Sequence, residues 1–228
     1  MIPRRTPIEA EFIDGVRPSD YDIRNTFSGA VSYDIPGPGS GELKQVLGNW
    51  STDSIIYARS APPANVVTGL NPFAGSVLNG ANSVQRPDVT GQPFYLYQSG
   101  APGGKVINPA AFSTPVPATR QGYLGRNSLR GFGATQLDLT LRRQFRFTEG
   151  LSLQARADFF NIFNHPNFGS PINNLSSSPV SYVPNPVFGQ STMMLANSLG
   201  SGGQSGGLNP LYQIGGPRSI QLALKLQF

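Results

Sequence analysis

Four charged residues, Asp138, Arg142, Arg156 and Asp158, fall two or four apart within two neighbouring stretches, TQLDLTLRRQF and LSLQARADFF. In an extended chain such spacing sends each set to one face. A tight turn at Thr148, Glu149 and Gly150 predicts Arg142 opposite Arg156, with Asp158 as its diagonal neighbour and Asp138 further along the same face. Such an array can contact a passing substrate, or it can act as a structural ladder that keeps one face polar. The ladder is the preferred reading. The lone histidine, His165 in NHPNFG, could be a ligand or a base, but its place after an extended stretch and before Pro166 predicts a loop-opening turn. One His and no Cys exclude a His-rich metal site, a thiolate site and a disulfide framework. The run GSGGQSGG, Gly200 to Gly207, has no Lys-Ser/Thr ending and no strand–helix context for phosphate, and reads as loop. No Ser/His/Asp set, paired-carboxylate site or metal cluster emerges, so no catalytic, cofactor or metal residue is assigned and an enzyme is not expected. The net charge is +5, but the basic residues are scattered and build no stripe for nucleic acid.

The elements that position these residues are marked by where the 21 prolines do not fall. Proline lacks the N–H that a sheet ladder needs. Residues 23–35, 46–60, 135–147, 151–164 and 218–228 contain none. All five alternate apolar and polar side chains. The last is the clearest, with Ile220, Leu222, Leu224, Leu226 and Phe228 against Gln221, Ala223, Lys225 and Gln227. In the third, Leu137, Leu139, Leu141, Phe145 and Phe147 form an apolar face that only Arg143 breaks. The first segment sets Ile23, Phe27, Val31 and Tyr33 on one side, and the second Trp50, Ile56 and Ala58.

Alternation alone fits a soluble sandwich as well as a membrane barrel; length and loops separate them. The segments run 11 to 15 residues. Globular strands have a mode of about 5 to 6, and a tilted membrane strand needs about 9 to 11. Charged residues are 13% and aromatic residues 10% of the chain, too few charges for a typical soluble domain and too many aromatics for a solvated disordered chain. No run is apolar and long enough for a membrane helix. Short connections, PGPGSGE and TEG, alternate with long ones at about 61–134 and 165–217, as periplasmic turns alternate with extracellular loops in outer-membrane barrels. A chain end in the periplasm then puts Tyr33, Trp50, Phe145, Phe147 and Phe228 near the periplasmic interface as an aromatic girdle, with Arg143 in the same zone.

The stretches YDIRNTFSGAVSYDIP, GNWSTDSIIYARSAPP, QGYLGRNSLRGFGATQLDLTLRRQFRFTEGLSLQARADFFNIFNHPNFG and GGPRSIQLALKLQF together resemble the C-terminal region of Oar-like TonB-dependent receptors, frequent in Acidobacteria. The alternation of Ile220, Leu222, Leu224, Leu226 and Phe228 likewise resembles the signal read by the barrel-assembly machinery. The resemblance implies a barrel of about 22 strands with a plugged lumen. It implies energy from TonB acting through an N-terminal plug, and import of a large scarce nutrient of siderophore, glycan or peptide type. Residues 1–228 are expected to form part of that barrel domain. The plug, TonB box and signal peptide are expected to lie outside this sequence, whose MIPRRTPIEAEFIDG start lacks a signal peptide's apolar core.

The expectation is therefore an all-β antiparallel meander of about five transmembrane strands, the C-terminal part of a larger outer-membrane β-barrel with two long irregular extracellular loops. Its partners are outer-membrane lipid, the assembly machinery and an imported ligand. The alternatives are a secreted or surface β-sandwich adhesion module and a gene fragment without independent function. The loop aromatics Phe73, Phe94, Tyr95, Tyr97, Phe112, Tyr123, Tyr182, Phe188 and Tyr212 suit either ligand capture or local packing.

Overall fold

Stretches that alternate in polarity and contain no proline can satisfy every backbone group only by pairing with one another. They do so in the computed structural model, which describes residues 18–37, 48–71, 85–198 and 214–228. Along the chain run β1 (Thr26–Ile35) and β2 (Trp50–Arg59), then six strands of two or three residues. These are β3 (Pro63–Ala64), β4 (Asp88–Val89), β5 (Tyr95–Tyr97), β6 (Lys105–Ile107), β7 (Phe112–Ser113) and β8 (Leu129–Arg130). There follow β9 (Ala134–Arg146), β10 (Ser152–Phe160), one helical turn α1 (Leu195–Ser198), and β11 (Ser219–Gln227). No helix among the described residues is long and apolar enough to cross a membrane.

The chain divides into two units. The sheet unit gathers Asn25–Ser60, Gly133–Asn167 and Met194–Phe228. Its five long strands form one antiparallel sheet in the order β1-β2-β9-β10-β11, the meander expected from the sequence. They are 9 to 13 residues long, the length of tilted membrane strands. The hairpin between β9 and β10 is closed by Phe147 N–H donating to the Leu151 carbonyl at 2.9 Å and Leu151 N–H donating to Thr148 Oγ1 at 3.1 Å.

Three strand ends differ from the expected bounds by three or more residues: β1 starts at Thr26, not at residue 23, and the other two share one reason. β2 starts at Trp50, not at residue 46, and β10 stops at Phe160, not at residue 164. Asn49, Asn161 and Asn164 adopt left-handed φ of 60°, 49° and 50°. Asparagine tolerates that region better than other side chains and turns the chain out of the ladder.

The loop unit gathers Met1–Arg24, Ala61–Phe132 and Phe168–Met193. The two long connections were expected to be irregular. The first instead holds three short ladders, β3–β8, β4–β7 and β5–β6, around a core of Ala64, Val66, Ile107, Phe112 and Leu129 that Phe188 of the second joins. The connections are stitched together where Val67 N–H donates to the Asn173 carbonyl at 3.0 Å and Ser176 N–H to the Thr68 carbonyl at 2.8 Å. Frequent proline keeps every ladder to two or three residues, so side-chain amides supply the remaining bonds. Gln85 Nε2, fully buried, donates to the Ala118 and Arg120 carbonyls at 2.6 and 2.8 Å. Burying these apolar groups offsets the entropy that would otherwise leave such long connections unstructured.

Candidate functional site

In an antiparallel pair, residues directly opposite share a face, so the register sorts the sheet into two surfaces. On one, Asp34, Ser51, Arg142, Arg156 and Ala223 form a row across all five strands, and Ser32, Asp53, Thr140, Asp158 and Gln221 form the next. On the other, Tyr33, Thr52, Leu141, Ala157 and Leu222 form a row, flanked by Val31, Ser54, Leu139, Phe159 and Ile220. The apolar sets of all five segments thus merge into a single surface.

The polar surface is a hydrogen-bonded charge network. Arg142 lies opposite Arg156 in the expected register. Two like charges placed so closely need partners, and each finds one. Arg142 Nη2 lies 3.4 Å from Asp53 Oδ1, and Arg156 Nε donates to both oxygens of Asp158 at 2.8 and 2.9 Å. Asp158 also accepts from the Thr140 hydroxyl. Asp138, the fourth residue of the expected ladder, contacts no arginine among its hydrogen bonds. It accepts from Gln136 Nε2 at 2.7 Å and from the backbone N–H of Asn161 at 2.8 Å, holding the chain where it leaves β10. Sequence reasoning missed Asp53 as Arg142's partner, because β2 reaches β9 across more than 80 residues of chain. It also missed Asp34, which accepts from Ser51 Oγ at 2.6 Å. An open groove of about 530 Å³ lies along this surface, lined by Asp34, Asn49, Ser51, Arg142, Gln144 and Arg146.

The opposite surface reverses the soluble pattern. Leu222 and Leu224 are 77% and 75% exposed, Ile220 and Leu226 are exposed, and Phe228 is 99% exposed. Among the described residues, buried hydrophobic groups of the sheet unit are few (Ala134, Leu195, Ala196), and none is a large strand side chain. Tyr33, Trp50, Phe145 and Phe147 all lie toward the end of the sheet where the β9–β10 hairpin and Phe228 also lie. Arg143, directly opposite Trp50, has its guanidinium carbon 5.3 Å from the Trp50 ring centroid and 4.4 Å from that of Phe145. Such contacts attract a cation to the ring faces.

At the far end of β9 and β10 the sheet is held by asparagines. Asn161, 2% exposed, donates to the His165 and Gly216 carbonyls, both at 2.9 Å, and accepts from His165 N–H at 2.9 Å. Asn167 bridges Thr135 and His165 in the same manner. These backbone bonds of His165 form the turn; its side chain is exposed. The signal was present in the sequence as NIFNHPN, dense in residues that bond their own backbone. The Gly200 to Gly207 run lies outside the described residues. Among the described residues no cluster of three or more His, Asp or Glu could hold a metal.

In the loop unit, Arg120 makes paired hydrogen bonds to Asp88, Nη1 to Oδ1 at 3.0 Å and Nη2 to Oδ2, and lies 4.8 Å from the Tyr123 ring. The Arg120 bond, with a further one from Tyr123 N–H, holds the Asp88 carboxyl below its ordinary range. Lys105 sits 4.9 Å from the Tyr95 ring and 5.2 Å from the Phe132 ring, and burial pushes its ammonium pKa down. The loop aromatics divide. Phe94, Tyr95, Phe112 and Phe188 pack on the core, while Tyr97, Tyr123 and Tyr182 are exposed. Phe73 and Tyr212 lie outside the described residues.

Compared with known families, residues 14–220 match one described as an outer membrane beta barrel domain. No curated protein and no solved structure matches the chain.

Proposed function

Since the chain belongs to the outer membrane beta barrel domain family and resides in the bacterial outer membrane, we propose that it forms part of the wall of a TonB-dependent transporter that takes up a large scarce nutrient. The observation that carries this reading is the charged surface running across all five strands. Small barrels fill their interior with side chains, whereas wide barrels keep it polar for water or a plug. A lumen face held by Asp53–Arg142 and Arg156–Asp158 suits the wide case. In this reading Asp138, Arg142, Arg156 and Asp158 face the lumen and the exposed leucines face lipid. The β9–β10 turn is periplasmic, and Tyr33, Trp50, Phe145 and Phe147 form the periplasmic girdle. The long connections are extracellular and offer Tyr97, Tyr123 and Tyr182 to an incoming ligand. Ile220, Leu222, Leu224, Leu226 and Phe228 are read by the barrel-assembly machinery, and TonB acts through a plug. The cargo is of siderophore, glycan or peptide type.

The test is uptake in cells. Labelled ferric siderophores, oligosaccharides and peptides are offered to the parent strain, to a strain lacking the gene, and to one lacking TonB. Uptake of one class that is lost in both mutants is expected. Uptake of every class unaffected by either deletion refutes transport.

A further inference from the structure

In the loop unit, the β5–β6 register places Lys105 directly opposite Tyr97 and diagonal to Tyr95, all three on one face of the hairpin. Its Nζ lies 4.9 Å from the Tyr95 ring centroid and 5.2 Å from that of Phe132. Among the described residues its ammonium makes no hydrogen bond and no ion pair. It is a cation without an anion. Both rings are fixed before any ligand arrives. The Tyr95 hydroxyl donates to the Arg130 carbonyl at 3.0 Å and accepts from the Arg130 N–H at 2.7 Å. Phe132 stands against Phe168, with ring centroids 5.5 Å apart, and against the hairpin turn, where a Cβ on Gly103 would come within 2.3 Å of its Cε1. Glycine at that turn, with φ of 71°, leaves the ring its room.

Two rings can engage two of the ammonium's three N–H donors, which leaves at least one for an acceptor. An ammonium is compact and its donors rotate, so no preset orientation is required. Burial disfavours the charge and pushes the pKa down, and the same partial removal from water strengthens any contact with an anion. The next cation along this stretch, Arg130, is spent on the carboxylate and carbonyl of Asp22. A single positive charge with few free donors suits a carboxylate rather than a phosphate, which takes several. Tyr97, 80% exposed and beside Lys105, offers a flat face to whatever carries that carboxylate. We propose that Lys105, seated on Tyr95 and Phe132 and flanked by Tyr97, binds a carboxylate of the imported ligand. The site deepens the uptake reading and rests on it, since the cargo must meet these connections from outside.

The experiment uses the whole polypeptide that cells make, extracted from outer membranes into dodecyl maltoside, and isothermal titration with three pairs of probes. Tri-galacturonate is set against its methyl ester, amidated tri-glutamate against amidated tri-glutamine, and ferric citrate against a neutral ferric trihydroxamate. The pair that separates names the source of the carboxylate. At least one acid is expected to bind about tenfold or more tightly than its neutral partner. Lys105→Met, which keeps the apolar stem and loses the charge, should weaken that acid about ten- to hundredfold and leave the neutral partner unchanged. Tyr97→Ala should weaken it several-fold. Arg24→Gln, an exposed arginine of the same unit, should change nothing. In wild type the bound acid should also slow reductive methylation of Lys105, a readout that needs no variant. Preference for none of the acids, or undiminished binding by Lys105→Met, overturns the site. If Lys105→Met fails to assemble, methylation decides: protection by the acid supports the site and none overturns it. TonB-dependent uptake undiminished by Lys105→Met sinks the site and leaves transport standing, whereas Lys105-dependent binding without uptake sinks transport and leaves the carboxylate site.

Discussion

Replacing Leu222 with arginine distinguishes a lipid-facing surface from a water-facing one, because the two environments predict opposite outcomes. Leu222 is 77% exposed and shares its row with Ala157, Leu141, Thr52 and Tyr33. Leu141 is next to the middle of β9, so the row lies near the bilayer midplane in the proposed placement. With so little of Leu222 packed, the substitution opens no cavity, and the cost is almost wholly that of placing a charge in hydrocarbon. That cost is about 2–4 kcal/mol for arginine at the midplane of a membrane barrel, roughly 30- to 1,000-fold in the folding equilibrium. On a water-facing sheet the same change stays within about 0.5 kcal/mol. Gln221→Arg, one residue away on the polar surface and opposite Asp158, should also stay within about 0.5 kcal/mol. Because Leu222 lies in the proposed assembly signal, Leu141→Arg in the same row controls for recognition and should cost about as much. The assay is the urea midpoint of the whole protein folded into phospholipid vesicles, with heat-modifiable gel mobility as the readout of the barrel. If Leu222→Arg and Leu141→Arg are as well tolerated as Gln221→Arg, the apolar surface does not face lipid.

Deleting Phe228 from the whole protein should lower the amount inserted in the outer membrane while leaving the melting of the inserted fraction unchanged; undiminished insertion removes the assembly-signal reading. Residues 1–228 refolded alone in detergent should aggregate, oligomerise or stay loosely folded, since among the described residues β1 and β11 bound the sheet and each unpaired backbone group facing hydrocarbon costs several kcal/mol. A monodisperse monomer with steady single-channel conductance would contradict that. Asn161→Ala should destabilise the sheet by about 1–3 kcal/mol through the carbonyls of His165 and Gly216 left without their donor, read as a lower urea midpoint. Asp88 has a depressed folded pKa, so its pairing with Arg120 contributes above the ordinary carboxylate value near 4 and is lost as pH falls through the folded value. The stability difference between wild type and Asp88→Asn should therefore close on acidification, and a gap that persists at low pH would assign the effect to something other than the carboxylate.

The local pattern carried the sheet and little of the rest. Proline exclusion and two-residue alternation located β1, β2, β9, β10 and β11, because strand pairing and face polarity are short-range demands that every residue must meet. The turn at Thr148 to Gly150 set the β9–β10 register for the same reason, and put Arg142 opposite Arg156. The ion pairs did not follow from the register. Arg142 found Asp53 on β2, a strand distant in sequence, and Asp138 turned to the Asn161 backbone where the chain leaves β10.

The long connections show the limit most plainly. Their prolines and glycines kept the ladders short, and their aromatics suited ligand capture and local packing alike. That Phe94, Tyr95, Phe112 and Phe188 would pack together while Tyr97 and Tyr123 stay exposed is a matter of which distant residues meet. Sequence by itself determined which chain segments pair and which of their faces is apolar, because those follow from bonds and alternation within a strand and its turn. The tertiary structure alone decided that Arg142 answers Asp53, 89 positions away, and that Phe112 packs on Phe188, 76 positions away, because both contacts join stretches that no local pattern links.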